Sequence, residues 1–74
     1  MERILFDHSK LRGRIVEKGL SQKRISEVMG ITQQAFSKKM NNTTQFSSSD
    51  IVSLTDLLEI EPTDIGAYFF TPLV

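Results

Sequence analysis

Apolar residues recur along this chain at three- and four-residue intervals, in short runs bounded by residues that start or stop helices. The first run, Leu11, Ile15 and Val16, predicts a helix from a cap at Asp7 to about Lys18. Gly19 ends it, because glycine takes the left-handed backbone conformation without a Cβ clash. Ser21 caps a second helix over about residues 22 to 29, with Ile25 and Met29 inward and Ser26 small enough to lie against a crossing helix. Gly30 closes that helix, and Thr32 caps a third that buries Phe36 and Met40, four apart on one face. Asn41 and Asn42 follow, the non-glycine type best able to turn left-handed.

The polar segment "TTQFSSSD" carries one apolar anchor, Phe46, and leads into Ser47 and Asp50 at the spacing of a capping box. A fourth helix is predicted to about Leu58, with Ile51, Leu54, Leu57 and Leu58 inward. Pro62 suits the first turn of a short fifth helix ending near Phe69 or Phe70, since its missing N–H costs nothing there. No alternating strand pattern, repeat or linker competes. The expectation is an all-α fold, five short helices around one core. It forms a single domain over 1–74, with a helix-turn-helix over about 21–41 and C-terminal helices over about 48–58 and 62–69.

Length and composition narrow the picture without changing it. Seventy-four residues are too few for two cores, and with no cysteine neither a disulfide nor a thiolate metal site can supplement the one. With 39% hydrophobic and 24% charged residues, the chain is expected to fold without a cofactor. The apolar run in "MERILFDHSK" is too short for a secretory signal or a membrane span, so a reducing cytoplasm is expected.

Charge changes the picture more. The formal net charge is zero, yet all nine Lys and Arg precede residue 40 alongside four acids, Glu2, Asp7, Glu17 and Glu27. From residue 41 onward there are five acids, Asp50, Asp56, Glu59, Glu61 and Asp64, and no base. Such segregation has two readings: chance patterning on two solvated faces, or one face that meets a polyanion or acidic partner while the other stays solvated or repels it.

Residues 21 to 40 have the form cap, short helix, glycine turn, second cap, second helix. The third helix is left with a polar outer face, and an exposed helix of this kind fits the DNA major groove. Gln33 and Gln34 are placed to reach adenine or phosphate, and Ser37 and Lys38 lie one turn on. Asn41, Thr43 and Thr44 are candidates for backbone contacts, whereas Lys39 points further round as a solvated charge. A sequence pI of about 6.6 is low for a domain that holds DNA by itself. The same face is therefore equally a candidate protein-binding surface.

The stretch "GLSQKRISEVMGITQQAFSKKMNN" resembles the Cro/C1-type (XRE-like) helix-turn-helix family, and the resemblance runs on through "FSSSDIVSLTDLLEIEPTDIGAYFF". The chain departs from that pattern at Ser26, where alanine is usual, and at Asn42 and Glu59, where glycine is common. "FDHSKLRGRIVEKGLSQ" and the closing "YFF" narrow the likeness to small phage regulators of the lysis–lysogeny switch, of the modulator-of-repression kind found in temperate lactococcal phages.

That resemblance implies a transcription regulator in the cytoplasm of a bacterial host, with a phage CI-type repressor as partner, and it implies that Gln22, at the start of the second helix, bonds a phosphate and braces the third. Two mechanisms follow. In one, the chain is an antirepressor that binds the repressor's N-terminal DNA-binding domain, with weak or joint DNA binding and with Asp50, Asp56, Glu59, Glu61 or Asp64 as an acidic patch towards it. In the other, a Cro-like dimer reads operator DNA by itself, with "AYFFTPLV" as the dimer contact. Catalysis is poorly served: the single imidazole, His8, reads as a surface residue near the Asp7 cap, and the dispersed acids read as solvated, not as metal ligands. No enzyme activity, cofactor, metal, membrane contact or small-molecule substrate is expected.

Overall fold

The computed structural model describes residues 5–73 and places five α-helices among them: α1 (Ser9–Glu17), α2 (Gln22–Met29), α3 (Gln33–Met40), α4 (Ser48–Leu57) and α5 (Ile65–Phe69). A 3-10 turn at Pro62–Asp64 leads into α5. Glu2 and Arg3 of the charge pattern lie outside the described residues.

Side chains start three of the helices. Ser21 Oγ accepts from the Arg24 amide and Thr32 Oγ1 from the Ala35 amide. At α4 the capping box is complete: Ser47 Oγ accepts from the Asp50 amide and the Asp50 carboxylate accepts from the Ser47 amide at 2.9 Å. Each such cap satisfies amides that the first turn leaves without a partner, and is worth about 1 kcal/mol. α1 begins differently from the expectation. His8 occupies the cap position with no side-chain cap bond, and Asp7, one residue earlier, accepts from the Ser9 amide at 2.9 Å and from its hydroxyl.

The helix ends share one device. Gly19, Gly30, Asn42 and Glu59 have φ of 66°, 71°, 64° and 52°, so a left-handed residue follows each of α1 to α4. After α4, the Glu59 amide donates to the Asp56 carbonyl and the Ile60 amide to the Thr55 carbonyl, the double bond of a Schellman motif. The same pair recurs at Leu20 and Gly19, at Ile31 and Gly30, and at Thr43 and Asn42. The residue after three of these turns, Leu20, Ile31 or Ile60, packs on or in the core, so each turn also aims an apolar side chain inward.

Leu11, Ile15, Ile25, Phe36, Met40, Leu54, Leu58, Ile60 and Phe69 form that core. α2 packs on α3 and α4, and α1 on α5. Met29, Ile51 and Leu57 flank it, half-buried. Val16, expected in the α1 stripe, is 76% exposed instead. Of the adjacent phenylalanines, Phe69 is buried and Phe70 is half exposed, its ring edge-on to Phe6 with centroids 5.7 Å apart.

His8 is buried, contrary to the surface position expected for it. Its Nδ1 donates to the Met40 carbonyl at 3.0 Å, so the ring nitrogen that carries a proton is set by an acceptor in the last turn of α3. The ring stands edge-on to Phe46 at 5.3 Å, and Phe46 meets Phe36 and Phe69 in the same manner. Phe46 is thus the anchor that the polar loop promised.

One contact has no counterpart in the helical pattern. Phe6 and Pro72 form an antiparallel bridge, with the Asp7 amide on the Thr71 carbonyl at 2.8 Å and the Leu73 amide on the Leu5 carbonyl at 2.9 Å. Asn42 clamps the same segment: Phe6 N–H donates to its Oδ1 at 3.0 Å and its Nδ2 donates to Phe6 O at 2.9 Å.

Candidate partner and nucleic-acid interface

The turn at Gly30 joins α2 to α3 and leaves one side of α3 in solvent. Gln33, Gln34, Lys38 and Asn41 are exposed there, with Ser37 half-buried; Gln22 is exposed on the first turn of α2, and Thr43 in the turn after α3. Gln34 and Lys38 line a shallow depression of about 290 Å³ with Thr32, Ala35, Lys39 and Thr44. Arg12 of α1 joins this surface by donating to Asn41 Oδ1 at 3.2 Å, while Asn41 Nδ2 lies 3.5 Å from Ser37 Oγ. Nothing local in the sequence signals Arg12, because its partner lies two helices further along the chain.

The charge balance of this surface is set by what its lysines and arginines already touch. Lys39, expected as a solvated charge, is largely buried. Its ammonium pairs with Asp50 at 2.8 Å and donates to the Gln45 carbonyl at 3.2 Å. Lys18 pairs with Glu59 at 2.8 Å, and Arg14 donates to the Leu58 carbonyl at 2.9 Å, at the C-terminal end of α4 where a cation is favoured. Arg24 lies beside Glu27, and Lys10 over the Tyr68 ring. Among the described residues, Lys23 and Lys38 are the bases left without such a partner. The segregation of charge along the chain is therefore closed in part by pairs that tie its two halves together.

The five C-terminal acids divide accordingly. Burial works to raise the Asp50 carboxyl pKa, but hydrogen bonds from Lys39 and from the Ser47 amide and hydroxyl outweigh it and hold it below the usual carboxylate range. The Lys18 ammonium, by hydrogen bond and by charge, holds Glu59 low as well. Asp7 is lowered by its hydrogen bonds from Ser9. Asp56, Glu61 and Asp64 are exposed and have no side-chain partner.

Asp56, Glu59 and Glu61 lie together on an open groove of about 620 Å³, lined also by Ile51, Val52, Ser53, Thr55, Ile60 and Ile65. Thr55 Oγ1 is buried beside it with no hydrogen-bond partner, a deficit of about 1–3 kcal/mol. Asp50 and Asp64 are not part of that lining. This groove was not foreseen from the sequence; only the spacing of Ile51, Thr55 and Asp56 on one predicted helix hinted at a shared side.

Among the described residues, no three of His, Cys, Asp and Glu are grouped to hold a metal ion. No helix among them is long and apolar enough to cross a membrane.

Residues 4–72 match the family model described as Protein of unknown function (DUF739). Among solved structures, the solution structure of the modulator of repression (MOR) of the temperate bacteriophage TP901-1 from Lactococcus lactis is similar. Its TM-score is 0.73 at 34% sequence identity, covering 88% of this chain and 88% of that one. No curated protein matches the sequence. The likeness in sequence and fold supports a phage regulatory role.

Proposed function

Because the chain belongs to the DUF739 family and is similar along most of its length to a phage modulator of repression, we propose that it serves a lysis–lysogeny switch as an antirepressor. In this reading it binds the N-terminal DNA-binding domain of a CI-type repressor in the cytoplasm of the bacterial host and acts by association, without catalysis. The observation that carries the reading is the 34% identity to that modulator over 88% of both chains.

The charge balance supports a protein ligand over DNA as the main one. With Lys23 and Lys38 unpaired and Arg12 bonded only to the neutral Asn41 amide, a single copy releases about three counterions on duplex DNA, a salt slope of about −3 where strong binders show about −10. Gln22, Gln33, Gln34, Ser37, Lys38, Asn41 and Thr43 then serve as hydrogen-bonding groups towards the repressor, or towards DNA held jointly with it.

The exposure of Gln33, Gln34 and Lys38 on one helix favours a second reading, an operator-binding dimer of Cro type. Exposed Leu5, Phe70 and Leu73 give such a dimer an apolar contact. Fluorescence anisotropy with labelled operator DNA across a salt series, with and without the repressor domain, separates the two. The antirepressor reading expects no specific binding by the chain alone and a stable complex with the repressor domain. Specific DNA binding by the chain alone, abolished in a Gln34→Ala/Lys38→Ala variant, would overturn it.

A further inference from the structure

We infer that the groove between α4 and the start of α5 is the seat of a basic amphipathic helix from the partner protein, with apolar side chains against Ile51, Val52 and Ile65 and Lys or Arg side chains against Asp56 and Glu61. The inference rests on the antirepressor reading and deepens it by assigning the contact to this groove.

Charge complementarity selects the occupant. A domain that binds DNA presents a cationic surface built around an exposed helix, and its complement is an apolar trough rimmed by carboxylates. The groove has that composition: no Lys or Arg occurs from residue 41 onward, and two of its three carboxylates, Asp56 and Glu61, have no side-chain partner. Glu59 is already neutralised by Lys18, which leaves it on the rim as a weaker contact. Val52, 68% exposed, is an apolar side chain that the fold itself does not use. A second copy of this chain is the weaker fit, because most of the described bases are consumed by internal contacts.

Three exposed substitutions test this without touching the core. Isothermal titration of the repressor's N-terminal domain into the wild type and into Val52→Arg/Asp56→Lys/Glu61→Lys is expected to show at least a tenfold loss of affinity. Circular dichroism and melting of the free variant should stay at wild-type values. Unchanged affinity in the triple variant overturns the groove and leaves the antirepressor reading standing. No heat of binding to the wild type overturns both. Sedimentation showing a wild-type dimer that the triple variant abolishes overturns the choice of occupant in favour of a second copy.

Discussion

Asn42 and Glu59 both hold a left-handed backbone without being glycine, yet glycine at the two positions is expected to act in opposite directions. Glu59 pays the conformational cost of that φ and returns only an exposed pair with Lys18. Glu59→Gly should therefore raise the melting temperature by a few degrees, read by thermal circular dichroism. Asn42 spends the same strain on two half-buried hydrogen bonds to Phe6. Asn42→Gly should lower stability by about 1 kcal/mol in urea titration, two bonds of about 1 kcal/mol each set against the strain relieved. His8 belongs to the same class of local decision. His8→Ala strands the Met40 carbonyl and leaves a void against Phe46, and a loss of about 2–3 kcal/mol is expected by the same titration. Of the three departures from the helix-turn-helix pattern that the chain resembles, all visible in the sequence, Asn42 and Glu59 fall at left-handed turns. The inward turn of His8 was not visible, because its acceptor lies at the far end of α3 and no neighbour in the chain announces it.

The helices were the most legible feature, since what begins and ends them is local. Ser21, Thr32 and the Ser47–Asp50 box cap as their spacing predicts, and Gly19 and Gly30 turn left-handed as glycine allows. α1 is the exception. Its start moved by a residue and Val16 left the core, because the orientation of an amphipathic helix is fixed by what it packs on, here α5. The Asp50 box carries a pH signature. Its carboxyl is held below the ordinary range in the fold, so the stability it adds is complete above the unfolded value near pH 4 and is lost as pH falls through the lower folded one. Asp50→Asn, which keeps shape and removes charge, should cost about 1–2 kcal/mol at neutral pH. That difference from the wild type should shrink as pH falls below the unfolded value near 4 and through the lower folded one, as followed by urea melts across an acid series.

The segregation of charge along the chain suggests one surface for a polyanion or acidic partner and another that stays solvated. Folding spends much of it internally: Lys18 on Glu59, Lys39 on Asp50 and Arg14 on the end of α4 join the basic half to the acidic half. What remains for a partner is small and specific: Arg12, Lys23 and Lys38 among the described bases, and Asp56, Glu61 and Asp64 among the acids. Composition alone could not reveal this, because pairing depends on the packing of helices far apart in sequence. The contact furthest beyond the reach of local pattern is the bridge from Phe6 to Pro72, which spans nearly the whole chain. Closing so long a loop brings an entropic cost that the helices, formed from neighbours, do not carry. Folding should thus proceed from the helices outward, with this clasp the last piece to engage and the first to release. Native-state hydrogen exchange should report that order. The Asp7 and Leu73 amides, held only by the clasp, are expected to exchange through a low-energy opening, while those of Ile25 and Phe36 wait for the entire core to come apart.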